Sequence, residues 1–165
     1  TNTDELGETL GDLLEAGGMS ALYAQYANAE TFEEIAQEFD PEDASGAMQR
    51  WLFARYFIDK VSPEQMRGWD IGRAAALVRW GHFVGLIDES TAESVLEACA
   101  EEACQRFTGW REFGISYLFG GLFWRMAAGE DAAAEWLDDA ASACVELLTD
   151  EGEWLRYPWV QSLTD

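Results

Sequence analysis

The sequence predicts an all-α fold, and three observations support it. Only three of the 165 residues are proline, and the chain is rich in Ala, Glu and Leu, which favour helices. Apolar residues recur at helical spacing, and the alternation typical of a strand never extends beyond a few residues. Hydrophobic residues make up 48% of the chain, enough for a packed core. We therefore expect one compact domain over residues 1–165, with about seven or eight helices.

Capping residues, prolines and glycines set the predicted helix boundaries. Gly17-Gly18 ends the first helix, because glycine after an apolar stripe is a common stop signal. Thr31 and Glu34 form a capping box. Asp40-Pro41 and Ser62-Pro63 each place an N-cap before a proline, which favours a helix start. The predicted helices span residues 4–16, 20–26, 31–39, 40–59, 62–67, 68–87, 88–107, 108–126 and 130–148.

The helix predicted over residues 68–87 has two charged residues inside its apolar stripe. Such charges are tolerated among apolar neighbours only when they pair and are well hydrogen-bonded. Asp70 and Arg73 lie three residues apart, so we expect them to pair across one helical turn. Asp70 is also placed to cap this helix after a break at Gly68. The stripe consists of Asp70, Arg73, Leu77, Trp80 and Val84.

The charged residues inside apolar helices have two possible interpretations. The first is a structural polar network, in which acids and arginines neutralise each other and fix the register of the two central helices. The second is a hydrolase site in which Asp70, Glu112 and a divalent cation act on an anionic substrate, since carboxylates suit Mg²⁺ or Ca²⁺. We favour the first, because the acids and bases can pair. The predicted network comprises Asp70, Arg73, Arg79, Glu112 and Arg125.

No specific catalytic motif occurs in the sequence. A P-loop, GxSxG, HExxH and a CxxC pair are all absent. His82 is the only histidine, which excludes a histidine-cluster metal site. Cys99, Cys104 and Cys144 lack the spacing of metal ligands and are expected to be reduced core residues. We therefore expect no catalytic residue, no metal site and no cofactor.

The charge of the chain is strongly negative, with 32 acids against 10 bases and a net charge of -22. Such a surface repels nucleic acid and anionic membranes but attracts a basic protein. Solubility, or adaptation to a salty cytoplasm, is the alternative explanation. We find no signal peptide and no apolar stretch of about 18 residues, which predicts a cytoplasmic protein. The acids expected to bind a basic partner are Glu30, Glu33, Glu34, Glu38, Glu42, Asp43, Glu97 and Glu101.

Two motif blocks resemble the core signature of a bacterial family, the domain of unknown function numbered 1266. The resemblance spans residues 62–126 and extends to the tail at Tyr157-Pro158-Trp159. It implies a small helical domain without an established enzyme activity, encoded in some cases near polymorphic toxin and secretion loci. The blocks are Gly68-Trp69-Asp70-x-x-Arg73 with Arg79-Trp80-Gly81, and Trp110-x-x-Phe113-Gly114-x-Ser116-Tyr117 with Phe123-Trp124.

The charge and the resemblance together suggest an immunity protein. It would bind a cognate antibacterial effector toxin and occlude the toxin's basic active-site groove with an acidic surface. Nuclease toxins carry such grooves because they must bind phosphates. Two alternatives stay open, namely the hydrolase described above and a DNA-mimic or scaffold protein whose acids are spaced like phosphates.

Overall fold

The computed structural model describes residues 2–37 and 43–160. Within these ranges the chain forms helices and turns without a strand, which confirms the predicted all-α class. Two of the helices are only four residues long, and the sequence predicts no helix at the second of them, residues 153–156. The helices are α1 (Thr3–Gly11), α2 (Gly18–Asn28), α3 (Glu33–Ala36), α4 (Ala44–Phe57), α5 (Arg67–Phe83), α6 (Glu89–Arg106), α7 (Trp110–Arg125), α8 (Glu130–Leu147) and α9 (Glu153–Arg156).

Capping side chains explain where α1 and α6 begin. The Asn2 side chain accepts the Glu5 N–H at 2.9 Å, and the Glu5 carboxylate accepts the Asn2 N–H at 3.2 Å. Asp88 caps α6 in the same way, so first-turn N–H groups without a helical partner are satisfied. The predicted helix end at Phe39 and the predicted start at Asp40-Pro41 lie outside the described residues.

Two predicted boundaries of the long central helix are wrong. No break occurs at Gly68, because the 3₁₀ turn Pro63–Met66 passes directly into α5. A Cβ at Gly68 would lie 2.7 Å from Ser116 Oγ, so this glycine permits close packing of α5 on α7. The helix also ends earlier than predicted, at Phe83, since Gly85 adopts a φ of +76°. Glycine reaches this left-handed conformation easily and often ends a helix there.

Two groups of buried side chains fill the interior. One lies between α2, α4 and the C-terminal half of α7, where Tyr23 meets Phe123 edge to face at 5.5 Å between ring centroids. The other lies between α1, α5 and α6 and includes Ile71 and Val78. Helix α7 spans both groups, with Phe123 in the first and Phe113 against the second. This central position is what its nearly all-round apolar sequence predicts.

The buried face of α5 shares only Asp70 with the predicted stripe and otherwise lies beside it. Trp80 is 56% exposed and Val84 is 64% exposed, so the C-terminal half of that stripe faces outward. Small residues such as Ala74 let neighbouring helices approach the buried face, while Trp80 lies on the outer side under the guanidinium of Arg73. The buried residues of α5 are Arg67, Gly68, Trp69, Asp70, Ile71, Ala74, Val78 and Gly81.

Gly114, Gly120 and Gly121 lower the helix propensity of α7, which predicts close approach by other helices. A Cβ added at Gly120 would overlap Trp69 of α5, and a Cβ added at Gly121 would overlap the Trp136 ring of α8. The loss of helix propensity at these two positions is therefore offset by close packing of two aromatic side chains.

The aromatic side chains of Trp154, Tyr157 and Trp159 would be costly in water, which predicts that this segment packs back onto the body. Trp154 stacks on Trp110 with 5.3 Å between ring centroids. The Trp159 Nε1–H donates to the Phe107 carbonyl at 3.1 Å, and the Trp110 Nε1–H donates to the Tyr157 carbonyl at 2.6 Å. The Tyr157 side chain is 66% exposed, so the expectation that it also packs inward is wrong.

Gly121→Ala tests this close packing. We expect a loss of about 1–3 kcal/mol in unfolding free energy, because the new methyl group overlaps the Trp136 ring. Gly7→Ala in α1 is the control, since a Cβ there meets no atom within 4 Å. The control should gain about 0.5–1 kcal/mol from helix propensity. Urea unfolding followed by circular dichroism measures both, and equal midpoints for the two variants would contradict the packing assignment.

Candidate functional site

Buried charges gather where the chain breaks between α1 and α2. The π-helical turn Asp12–Ala16 ends the first helix, and Gly17 and Gly18 follow with φ angles of +92° and +41°. A break of this kind leaves carbonyl groups unsatisfied on one side and N–H groups unsatisfied on the other. Side chains from α5 supply partners for both sets.

Arg67 of α5 caps the C-terminal end of the first helix. Its Nη1–H donates to the Leu13 carbonyl at 2.8 Å, and its Nη2–H donates to the Leu14 carbonyl at 2.9 Å. The Nε–H donates to Glu102 of α6 at 3.1 Å, and Nη2–H also contacts that carboxylate. The Arg67 side chain is 6% exposed, so its donors serve the fold and not a ligand.

Asp70, one turn further along α5, caps the N-terminal end of α2. Its two oxygens accept the Met19 N–H at 2.7 Å and the Ser20 N–H at 3.1 Å, where the helix dipole favours a negative charge. The carboxylate is fully buried and lies 3.5 Å from Arg67 Nη1. Burial raises the pKa of Asp70, although the hydrogen bonds from Ser20 and Met19 and the charge of Arg67 act in the opposite direction.

Two further residues extend these charges to the surface. Arg106 Nε–H donates to Glu102 at 3.0 Å, and Arg106 Nη1 pairs with Glu64 at 2.8 Å. The side chain of Arg106 is 37% exposed and that of Glu64 is 75% exposed. We call Arg67, Asp70 and Glu102 the buried charge cluster, since it ties the break between α1 and α2 to α5 and α6. Arg106 and Glu64 lie at its exposed edge.

The predicted pairing of Asp70 with Arg73 is wrong. Asp70 pairs with Arg67 instead, and the Arg73 guanidinium lies 5.5 Å from the centroid of the Trp80 ring. Both arginines are three residues from Asp70, so helical spacing cannot decide between them. The position of α2 determines which arginine pairs with Asp70. Asp70 accepts the free N–H groups of α2 on the side of α5 where Arg67 also donates to the Leu13 carbonyl.

The other predicted members of the structural network have separate roles. Arg79 is exposed. The Glu112 carboxylate accepts the Thr108 N–H at 2.8 Å and its Oγ1–H at 2.7 Å, and these bonds lower the pKa of Glu112. The Arg125 guanidinium lies 5.3 Å from the Trp124 ring centroid, and its buried Nε has no hydrogen-bond partner among the described residues. The predicted network therefore does not form.

The residues of the alternative hydrolase site are not brought together. Asp70 is buried with both oxygens accepting backbone N–H groups, whereas Glu112 is exposed at the start of α7. Within residues 2–37 and 43–160, no group of three His, Cys, Asp or Glu residues could hold a metal ion. No helix in the same ranges is long and apolar enough to cross a bilayer.

The cysteine thiols lie in the helical interior, as predicted for core residues. Cys99 is buried, while Cys104 and Cys144 are half-buried, and none forms a disulfide. Burial raises the pKa of Cys99 to about 11 and also raises the pKa of the other two thiols. All three are therefore neutral thiols near pH 7 and poor nucleophiles.

The acids predicted to bind a partner are exposed but do not form one surface. The acids fall into two sets at opposite ends of α2. The N-terminal end of α2 contacts Asp70 beside α6, whereas Glu30 follows its C-terminal end. Glu34 accepts the Glu30 N–H at 3.1 Å, so one of these acids also serves as a cap. The first set is Glu30, Glu33, Glu34 and Asp43, the second is Glu97 and Glu101, and Glu38 and Glu42 lie outside the described residues.

Helix α6 carries a regular row of exposed acids. We call Glu89, Glu93, Glu97 and Glu101 the glutamate row. A step of four residues rises about 6 Å, so the row follows a shallow spiral over about 18 Å. None of its members forms an ion pair with another described residue. The four-residue repeat is readable in the sequence, yet only its last two members were predicted as partner-binding residues.

The basic residues of the chain do not neutralise these surface acids. Arg50 and Arg55 donate to backbone carbonyls. Lys60 Nζ lies 3.5 Å from the centroid of the Tyr56 ring. These three bases thus contact carbonyls or a ring and not surface acids, which leaves a strong negative field outside. Between described residues, ion pairs involve Arg67, Arg106 and Arg156.

The sequence profile of one family, described as "Protein of unknown function (DUF1266)", matches residues 1–159. The chain belongs to this family. The match extends beyond the expected core of residues 62–126 to the N-terminal helices, which form the Gly17-Gly18 break. No curated protein and no solved structure matches the chain.

The DUF1266 motif residues have structural roles in this chain. Gly68 packs against Ser116, whose Oγ accepts the Gly68 N–H at 2.8 Å. Trp69 stacks on Trp124 with 5.6 Å between ring centroids, and Asp70 belongs to the buried charge cluster. The first motif block and the second therefore meet where α5 packs on α7.

Arg67→Met tests the buried charge cluster in this DUF1266 chain. We expect the unfolding free energy to fall by about 3–5 kcal/mol, because the buried Asp70 carboxylate loses its counter-charge and two carbonyls lose their donor. Arg106→Met is the control and should cost about 0–1 kcal/mol, since its pairs are more exposed. Urea unfolding measures both, and an equal loss in the two variants would argue against the cluster.

Asp70→Asn tests the effect of burial on this carboxylate. Because the pKa is raised in the folded state, the folded protein binds this proton more tightly. The stabilising contribution of Asp70 is then greatest below its ordinary pKa of 3.8 and declines as the pH rises through the raised value. The difference in unfolding free energy between wild type and variant should shrink as the pH rises above 3.8. A difference that grows with pH would show that the hydrogen bonds and Arg67 outweigh burial.

Proposed function

We propose that this DUF1266 protein is a cytoplasmic bacterial immunity protein. It binds and neutralises a cognate antibacterial effector toxin by occluding the toxin's basic active-site groove with an acidic surface. The observation that carries the proposal is the glutamate row, four exposed acids repeating every four residues without a basic partner among the described residues. We assign this row as the centre of the partner-binding surface.

Repulsion within the glutamate row destabilises α6, and no ion pair among the described residues offsets it. Like charges four residues apart on a helix are destabilising by about 0.2–0.5 kcal/mol per pair. Arg106, on the same helix, pairs with Glu64 and Glu102 and with no member of the row. A sequence that breaks a local rule of helix stability without a compensating contact indicates a functional surface. A partner with positive charges would supply the missing contact.

The dimensions and charge of α6 suit the groove of a nuclease-type toxin. Such a groove binds a polyanion with regularly spaced charges and is therefore basic along its length. A helix with its side chains is about 10–12 Å wide, and the row repeats its charge about every 6 Å. The net charge of -22 would steer a basic partner toward the protein and speed association.

The proposed mechanism is occlusion and involves no chemical step. Both carboxylates of the alternative site are already hydrogen-bonded, since the buried Asp70 caps α2 and the exposed Glu112 accepts from Thr108. These contacts weigh against the alternative hydrolase, which needs both carboxylates free at one metal ion. The family resemblance supports the immunity role through its implied proximity to toxin loci.

The experiment is a binding assay with the product of the neighbouring gene, made as an inactivated variant. A row variant carries Glu89→Gln, Glu93→Gln, Glu97→Gln and Glu101→Gln. A control variant removes the same charge from α8, through Glu135→Gln, Asp138→Asn, Asp139→Asn and Glu146→Gln, all at exposed positions. The row variant should bind at least about tenfold more weakly than wild type, with little change in the control.

Growth of cells that express the active effector gives a second measurement. Wild type and the control variant should protect the cells, and the row variant should protect them poorly. A wild-type protein that retains no partner even at low salt would contradict the immunity proposal. Equal weakening by both variants would instead assign the effect to net charge and refute the glutamate row. A third variant, Glu30→Gln with Glu33→Gln, tests the acids around α3.

A further inference from the structure

A cavity of about 270 Å³ lies between α5, α6, the start of α7 and the C-terminal residues. Its inner wall belongs to the second core group and includes Ile71, Cys99 and Ala103, which are buried. Pro158 and Val160 also line it and are exposed, so the cavity opens to solvent there. No charged side chain lines it.

The cavity is built into the fold, because its outer wall is held in place. Hydrogen bonds fix the two indoles of that wall, from Trp159 to the Phe107 carbonyl and from Trp110 to the Tyr157 carbonyl. The two rings meet edge to face with 4.7 Å between centroids. The facing walls come from α5 and α6 and carry small side chains that cannot fill the space. These small residues are Gly72, Ala75 and Ala100.

The lining selects an uncharged ligand. The Cys99 and Cys104 thiols remain neutral because burial raises their pKa, so a cation finds no counter-charge inside. An anion is repelled by the net charge of -22. Trp110, Phe113 and Trp159 offer aromatic faces and edges, which favour an aromatic ring packed among them.

The volume limits the size of the ligand. A cavity of about 150 Å³ lined by apolar side chains holds a benzene molecule. By proportion, this cavity accommodates roughly eleven non-hydrogen atoms. That size corresponds to a fused two-ring molecule.

We propose that this cavity is a binding site for an uncharged aromatic molecule of the size of a two-ring compound. The site is independent of the proposed immunity function, since it uses neither the glutamate row nor the buried charge cluster. The cavity binds a neutral apolar ligand, whereas the strongly acidic surface attracts a basic partner.

Titration of the full chain with 2-naphthol, a neutral two-ring probe, tests the proposal. We expect saturable binding by calorimetry with a dissociation constant below about 1 mM. Amide NMR should show shifts of the Trp110 and Trp159 indole N–H signals. The Trp51 indole, which donates to Ala29 in the first core group, is the internal control and should not move. The charged analogue 2-naphthoate should bind at least about tenfold more weakly.

Two variants fill the cavity from opposite walls. Ala100→Leu on α6 and Ala75→Leu on α5 should each weaken 2-naphthol binding by at least about tenfold, because the added side chain occupies ligand space. Ala98→Leu, exposed on the same helix and outside the cavity, is the matched control and should leave binding unchanged. Circular dichroism melts establish that each variant is folded.

Several results would overturn the proposal. These are the absence of saturable binding, unchanged binding in folded Ala100→Leu and Ala75→Leu, or equal binding of 2-naphthol and 2-naphthoate. Shifts at Trp51 with none at Trp110 and Trp159 would place the probe elsewhere and also refute the site. If the wild type is dimeric, does not bind 2-naphthol and becomes monomeric on Ala100→Leu, the occupant is a second copy of the chain and the proposal is wrong.

Discussion

The buried pair of Arg67 and Asp70 is the constraint on which the N-terminal half of the fold depends. Its two side chains satisfy four backbone groups at the Gly17-Gly18 break, two carbonyls before it and two N–H groups after it. A buried ion pair alone is weak evidence of stability, since desolvation offsets its attraction. This pair matters because each partner also caps a helix end that would otherwise be buried without hydrogen bonds.

Local sequence signals predict the helices, the close approach at the α7 glycines and the docking of the C-terminal indoles. They fail where a contact between residues far apart in the sequence determines which side chains pair. Asp70 has an arginine three residues away on each side, and only the N–H groups of α2, some 51 residues earlier, select Arg67. The same limit explains the misplaced face of α5, because the outward position of Trp80 depends on which helices cover Ala74 and Val78.

The distribution of charge divides this small fold into regions with different chemistry. Several arginines bind carbonyls, rings or the buried charge cluster, and the glutamate row has no basic partner among the described residues. The repeat of the glutamate row is visible in the sequence once α6 is recognised as a helix. The cavity was beyond sequence analysis, because it exists only where the Trp110 and Trp159 indoles stand opposite Gly72, Ala75 and Ala100. An acidic outer helix and a neutral aromatic cavity can therefore recognise unlike molecules without competing.

The hydrogen bonds from α5 to the Gly17-Gly18 break also have a consequence for folding during synthesis. The first helices leave the ribosome before Arg67 and Asp70 have been added, and translation proceeds at about 5–20 residues per second. In that interval the carbonyls of Leu13 and Leu14 and the N–H groups of Met19 and Ser20 have only water as partner. The four hydrogen bonds that Arg67 and Asp70 give this turn can therefore form only after α5 has emerged from the exit tunnel.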